Sequence, residues 1–266
     1  MDSTDSMDSM DHDSIAIAGD LALHSERIEV FSGAGMSADS GLEVYRSAES
    51  GLWDHVDPQA MASIDAWARD PEPMWAWYLW RARVAQSAYP HAGHLAIGEW
   101  ERLQDVHVTT QNIDDLHERG NSRTPTHLHG SLFAFRCCMC GAPARRPELP
   151  EQPSPRLTPP TCSRCGNLIR PGVVWFGEPL PQREWQQAEE RMATADLVVI
   201  VGTSGIVQPA ASLPIIAKQM GAKLVEISPQ TTDLTPQVDV FIQATAQDAL
   251  PALVAHVREG LRATRE

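Results

Sequence analysis

The chain is short of positive charge, of cysteine and of long apolar runs. Its 266 residues include 21 lysines and arginines against 35 aspartates and glutamates, a formal charge of −14. A surface of that sign repels polyanions, which argues against nucleic acid or an anionic membrane as partner. The longest apolar run lies around Leu197–Val201, far below the roughly 20 residues that a bilayer-crossing helix needs. The opening stretch Met1–Asp13 is acidic and lacks an apolar core, so it does not read as a secretory signal. Five acids lie in that stretch, and without them the charge is still about −9. Residues 1–20 are therefore expected to be a disordered acidic tail, and residues 259–266 a second tail at the other end. With 42% hydrophobic and 21% charged residues, the remainder reads as globular and long enough to bury a core.

Short β-branched runs recur at Arg27–Phe31, Val106–Thr110, Val173–Phe176, Leu197–Val201, Lys223–Ile227 and Asp239–Ile242. Helix-like stretches such as Arg183–Ala193 and Ile206–Met220 separate them. Apolar strands alternating with helices argue for an α/β fold, a Rossmann-like doubly wound parallel sheet. Ligands of such sheets bind beyond the carboxyl ends of the strands. Two stretches break the alternation. Residues 48–92 are aromatic-rich and helical in pattern, and residues 136–170 carry proline after proline, which precludes regular structure. They are expected to form a smaller lobe, one helical module and one zinc-ribbon module. Residues 21–47, 93–135 and 171–258 would then form the sheet domain.

The five cysteines are Cys137, Cys138, Cys140, Cys162 and Cys165. Cys137/Cys140 and Cys162/Cys165 are two Cys-x-x-Cys knuckles, each of which aims two thiolates at one point. Together they complete a tetrahedron of sulfur, leaving no position for water, so one structural zinc ion is expected. Disulfides or free thiols are the alternatives; an acidic chain without a secretory signal points to a reducing compartment, the cytoplasm, which disfavours disulfides. Cys138 is left over as a neighbouring free thiol.

After the first strand comes Phe31-Ser32-Gly33-Ala34-Gly35-Met36-Ser37-Ala38-Asp39-Ser40-Gly41. Gly33 and Gly35 permit a tight turn and close approach to a diphosphate. The third glycine of the usual dinucleotide fingerprint is missing, and no acidic residue ends a second strand about 20 residues on. An ordinary hydride-transferring dehydrogenase is thus disfavoured. The run from Gly33 through Gly41, ending in Tyr45-Arg46, resembles the signature of the sirtuins, NAD-dependent protein-lysine deacylases. Thr110-Gln111-Asn112-Ile113-Asp114 with Leu116-His117, Leu128-His129-Gly130-Ser131, Val173-Val174-Trp175-Phe176-Gly177-Glu178-Pro179-Leu180-Pro181 and Gly202-Thr203-Ser204 resemble the family's other motifs, in family order.

That resemblance implies a chemistry in which the acyl oxygen of an acyl-lysine attacks C1′ of the nicotinamide ribose as nicotinamide leaves. His129 would be the general base on the ribose hydroxyls, with Asn112 and Asp114 positioning the ribose and the nicotinamide amide. The cofactor NAD would be held by Gly33, Ala34, Gly35, Ser37, Tyr45, Arg46, Gln111, Asn112, Ile113, Asp114, Gly202, Thr203 and Ser204. Ser228, standing where the family often has Asn, with Pro229, Gln230 and Ala246, would lie on the adenine side. Val173, Val174, Phe176, Gly177 and Glu178 would line the substrate tunnel and pair with an extended peptide. Read without the family, Asn112 and Asp114 also fit an Asx turn ending a strand, and His129 is one of ten histidines.

Tyr78 and Arg81, spaced i and i+3, share one helical face. They resemble the Tyr-x-x-Arg pair of the sirtuin branch that removes succinyl, malonyl and glutaryl groups, and Gly51-Leu52-Trp53 and Pro90-His91-Ala92-Gly93-His94 flank them as in that branch. A guanidinium offers a planar fork to a carboxylate and a phenol adds a donor, whereas an anion in an apolar tunnel would otherwise be costly. The expectation is a monomeric enzyme acting on acyl-lysine peptides and proteins, with acidic acyl groups preferred over acetyl, giving nicotinamide and O-acyl-ADP-ribose. The alternatives are a plain deacetylase or a mono-ADP-ribosyltransferase on the same scaffold.

Overall fold

A computed structural model describes residues 12–42 and 61–264. Tyr45, Arg46 and Gly51-Leu52-Trp53 lie outside these residues. Six strands form the larger sheet: β1 (Arg27–Ser32), β2 (Asp105–Thr110), β3 (Thr126–His127), β6 (Leu197–Val201), β7 (Lys223–Ile227) and β8 (Val240–Ile242). Their order is β3-β2-β1-β6-β7-β8 and every pairing is parallel. The order reverses at β1, so the carboxyl ends of β1, β2 and β6 open a crevice at the switch point, as sheets of this class do.

Parallel strands covered on both faces read as nearly continuous apolar runs, and β6, Leu-Val-Val-Ile-Val, is buried at every position. One face packs against α1 (His12–Leu23), α4 (Ala92–Leu103) and α8 (Ala246–Ala263); the other packs against α6 (Gln182–Thr194) and α7 (Leu213–Gln219). Helix α1 corrects the expected tail. Ile15, Ala18 and Ala22 repeat at helical spacing and are buried against the rest of the core, so residues 12–20 belong to the fold. At the other end α8 continues to Ala263, through most of the segment expected to be a tail. The helix expected over Ile206–Met220 is shorter: a 3-10 turn at Ala210–Ser212 precedes α7, which starts with proline near its first position.

The smaller lobe contains α2 (Ile64–Arg69), α3 (Pro71–Ser87) and the antiparallel pair β4 (Gly130–Cys137) and β5 (Ile169–Val173). Ser63 caps α2 by accepting from Ala66 N at 3.2 Å, an arrangement worth about 1 kcal/mol. Trp67, Trp75, Trp77 and Tyr78 converge with Phe135 and Trp175 into a separate aromatic core. Residues 130–135 and 171–173, expected in the sheet domain, pair with one another and bury Leu132, Phe135 and Val173 in this second core. The proline-rich segment is tied down by charge. Arg156 donates to Asp70 at 2.6 and 2.9 Å and to Glu72 at 3.1 Å, and its guanidinium holds the Asp70 carboxyl below its ordinary range. Among the described residues no helix is long and apolar enough to cross a membrane.

Candidate active site

The carboxyl ends of β1 and β6 touch backbone to backbone. Gly33 N donates to Val201 O at 3.0 Å and Gly35 N to Gly202 O at 2.8 Å. A Cβ on Gly35 would lie 2.8 Å from Gly202 Cα, and one on Gly202, whose φ is +60°, would lie 2.2 Å from Met36 N. The glycines therefore serve the crossing of two loops as well as their turns. The chain then enters a 3-10 helix, Ala34–Ser40, which places Ser37 over the end of β2.

Residues 111–114 follow β2 and form the floor of the crevice. Gln111 N donates to Ser32 O at 2.9 Å, and Gln111 Nε2 reaches Thr203 Oγ1 at 2.8 Å, joining the β2 and β6 loops. Asn112 Nδ2 donates to Ser37 Oγ at 3.1 Å, and Ser37 Oγ donates to Asp114 Oδ2 at 3.0 Å. Asp114 Oδ1 accepts from Leu116 N at 3.0 Å, so the Asx turn is present and coexists with the polar chain. Burial raises the Asp114 pKa, against the hydrogen bonds from Leu116 and Ser37. Asn112, Ser37 and Asp114 thus form one buried network.

His129 stands between β3 and β4. Its Nδ1 lies 3.0 Å from Gln111 O; a carbonyl only accepts, so Nδ1 carries the proton and Nε2 is the free base. Burial lowers its pKa, partly offset by that hydrogen bond. Gly130 directly after it has φ +75°, and a Cβ there would lie 2.1 Å from Gly172 O. Two residues upstream, His127 contacts Asn112 O and Glu118 Oε1, each at 2.8 Å. Burial pulls the His127 pKa down, but Glu118 outweighs it and the net shift is upward. The two histidines of Thr-His-Leu-His-Gly thus differ in kind, one ion-paired and one a free base.

Val173 ends β5, and the strand expected over Val173–Phe176 stops there. The next residues pair with loops instead: Val174 N donates to His129 O at 2.8 Å and Phe176 N to Ala62 O at 2.9 Å. Phe176 is half exposed beside Gly177. Glu178, expected to line the substrate tunnel, has another duty. It binds Arg170 through both oxygens and accepts from Trp175 N at 2.9 Å, while the Arg170 guanidinium stacks 3.2 Å from the Trp175 ring centroid. Arg170, buried at 4% exposure, carried no motif signal; only the acid eight residues downstream hinted at a partner.

On α3, Tyr78 is buried with its ring 6.3 Å from that of Trp175. Arg81 lies 4.8 Å from the Trp77 ring and 5.8 Å from the Tyr78 ring. On the far side, Ser228, Pro229 and Gln230 follow β7, but Ser228 Oγ donates to Gln230 O at 2.6 Å, so its hydroxyl closes its own turn. The Ala246 side chain is buried in the large core. His117, legible in the sequence only as part of the second motif, has its Nε2 2.8 Å from Ser32 Oγ, which donates to Thr110 Oγ1 at 2.8 Å. Burial lowers the His117 pKa to about 4.

The four knuckle sulfurs lie within 4.8 Å of one another, with Cys137–Cys165 at 3.4 Å and Cys140–Cys162 at 3.8 Å. A tetrahedron with zinc–sulfur bonds of about 2.3 Å has edges of about 3.8 Å. Backbone N–H groups of Met139 and Cys140 point at Cys137 Sγ, at 3.4 and 3.5 Å, and Arg164 N at Cys162 Sγ, at 3.4 Å, as thiolates require. Cys137, Cys140, Cys162 and Cys165 are the ligands of a structural zinc.

A crevice where glycine loops cross, with amide, carboxyl and imidazole groups at its floor, fits a dinucleotide. The Sir2 family model matches residues 33–209. The chain belongs to the Sir2 family. It is 63% identical over 249 residues to NAD-dependent protein deacylase 2 of Corynebacterium efficiens, covering 92% of this chain and 98% of that one. It is 47% identical over 230 residues to an NAD-dependent protein deacylase of Mycobacterium tuberculosis, covering 86% and 96%. A solved Sir2 homologue in complex with NAD superposes with a TM-score of 0.85 at 41% identity, over 95% of this chain and 96% of that one. NAD is the cofactor of this Sir2 fold.

Proposed function

We propose that the chain is a cytoplasmic NAD-dependent protein-lysine deacylase that prefers acidic acyl groups, succinyl, malonyl and glutaryl, with acetyl-lysine a lesser substrate. The observation carrying the acyl preference is a continuous path of contacts. The Arg81 guanidinium lies over the Trp77 ring at 4.8 Å and near the Tyr78 ring at 5.8 Å, Tyr78 packs on Trp175, and Trp175 follows the residue whose N–H is bonded to the carbonyl of His129. Ring contacts of this kind suit a guanidinium, whose planar fork can bind a carboxylate in two-pronged fashion. The zinc site requires reduced thiols, in keeping with a reducing compartment.

NAD, when bound, supplies a ribose carbon that becomes electrophilic as nicotinamide leaves. The protein's part is orientation and proton transfer. Ser37, Asn112 and Asp114, already bonded to one another, present an amide and a carboxyl at fixed positions on the crevice floor. His129 offers Nε2 as acceptor for a hydroxyl proton, and its partial burial keeps it neutral below the ordinary histidine range. The segment after β5 places an edge of backbone beside His129, where an extended peptide can pair.

Rates on matched acetyl-, malonyl-, succinyl- and glutaryl-lysine peptides with NAD test the proposal. Loss of a charge-assisted two-pronged contact costs about 1.5–3 kcal/mol, or roughly 10–100-fold. Arg81→Met is expected to lower kcat/KM for succinyl-lysine by at least that factor and to spare acetyl-lysine. Equal losses on both substrates would refute acyl selection by Arg81. Transfer of labelled ADP-ribose to protein without peptide deacylation would favour the transferase alternative.

A further inference from the structure

We infer that Glu226 is a positioning residue that sets the affinity of the crevice for the adenosine half of the dinucleotide, an inference that rests on the NAD-dependent function proposed above. Glu226 is the penultimate residue of β7 and is 1% exposed. Among the described residues no lysine, arginine or histidine forms an ion pair with it. Its partners are hydroxyls: Thr235 Oγ1 donates to Oε2 at 2.6 Å, and Thr232 Oγ1 donates to Oε1.

Each hydroxyl, its proton committed to the carboxyl group, accepts from the backbone. Thr235 Oγ1 accepts from Thr232 N at 2.8 Å, and Thr232 Oγ1 accepts from Leu234 N at 3.1 Å. One buried carboxyl group thereby fixes the conformation of residues 232–235. That segment rests on the turn after β6. Asp233 N reaches Ser204 O at 3.4 Å, and Leu234 fills the space beside Gly205, where a Cβ would come within 2.7 Å of Leu234 Cγ. The same loop begins with Ser228–Gln230, and the turn it rests on contains Gly202, Thr203 and Ser204. Glu226 thus joins two loops of the crevice on the side away from His129.

A core position filled by a carboxyl group without a cation carries a desolvation cost that an apolar side chain would avoid. Packing alone does not call for that choice, whereas a loop that must hold one shape does. Because Ser228 Oγ is bonded within its own turn, loop shape and not that hydroxyl is what presents the adenosine subsite.

Two variants of the full-length, zinc-loaded protein test the inference, Glu226→Gln and Thr235→Val, with ADP-ribose binding followed by calorimetry. Each should raise the ADP-ribose Kd about tenfold, equivalent to about 1.4 kcal/mol. The KM for NAD should rise in step, while kcat, the KM for acyl-peptide and inhibition by nicotinamide stay unchanged. Thr235→Val carries the test if Glu226→Gln does not fold. Unchanged ADP-ribose affinity, or an equal loss in kcat and peptide KM, would overturn the inference. Failure of the unaltered protein to bind ADP-ribose or turn over NAD would instead overturn the proposed function.

Discussion

The two lobes reach order by different routes. The sheet lobe is specified by its own chain: apolar parallel strands covered by helices on both faces leave little choice of architecture. Among the described residues, the small lobe has one short two-stranded ribbon, two helices and a long proline-rich segment, little regular structure to hold itself. It uses a metal at one end, an aromatic cluster in the middle and the Arg156 anchor to α3. The proposed chemistry is divided accordingly. His129, Asn112 and Asp114 sit at strand ends of the rigid lobe, where fixed geometry matters. Tyr78 and Arg81, which would choose the acyl group, sit in the lobe that the metal assembles.

Stripping zinc is the harshest way to break this comparison. A strong chelator should remove one metal per chain and reduce deacylation to background while the helical signal of the sheet lobe persists, because structural zinc contributes on the order of 10 kcal/mol to small metal modules. Activity that survived metal loss would mean that the small lobe holds its own shape. Next in size, His129→Ala should lower kcat by about 10²–10⁴-fold, with zinc content and melting temperature unchanged, confining the damage to chemistry. A smaller effect concerns stability. His117 takes a proton near pH 6.5 when unfolded but near 4 when folded, so the unfolded state gains protons first as the pH falls. Stability is therefore lost between about 6.5 and 4, by roughly 3 kcal/mol. Urea unfolding at several pH values should show this slope, reduced in His117→Gln. The mildest test is the acid limb of kcat/KM, whose midpoint should fall below the ordinary histidine value of 6.5 because burial lowers His129.

Where the sequence carried period and motif together, it was legible. The runs at Arg27–Phe31, Leu197–Val201 and Lys223–Ile227 are strands because apolar residues dominate them beneath covering helices, with Glu29 and Glu226 as buried exceptions. The cysteine spacing led to four sulfurs at one point because knuckle geometry is local. Contacts between distant segments left no local trace. Glu178 belongs to a motif that suggests a substrate contact, yet Arg170 and Trp175 N occupy its oxygens. Val174 and Phe176 are β-formers by composition, but β5 ends before them and their N–H groups turn to His129 and Ala62 instead. Helix α1 was hidden because a polar, acidic opening masked a narrow stripe of Ile15, Ala18 and Ala22. His117 was visible only as part of a motif, since its partner Ser32 is 85 residues away.

Among the described residues, the crowding of Trp67, Trp75, Trp77 and Trp175 into one core, against a fully buried Trp100 and a partly buried Trp185 in the sheet lobe, gives the molecule a built-in optical readout. Indole emission will report chiefly on the smaller lobe. If the acyl chain binds beside Tyr78 as proposed, its arrival should change fluorescence without any attached dye, so acyl-peptide occupancy could be followed in real time, ahead of turnover.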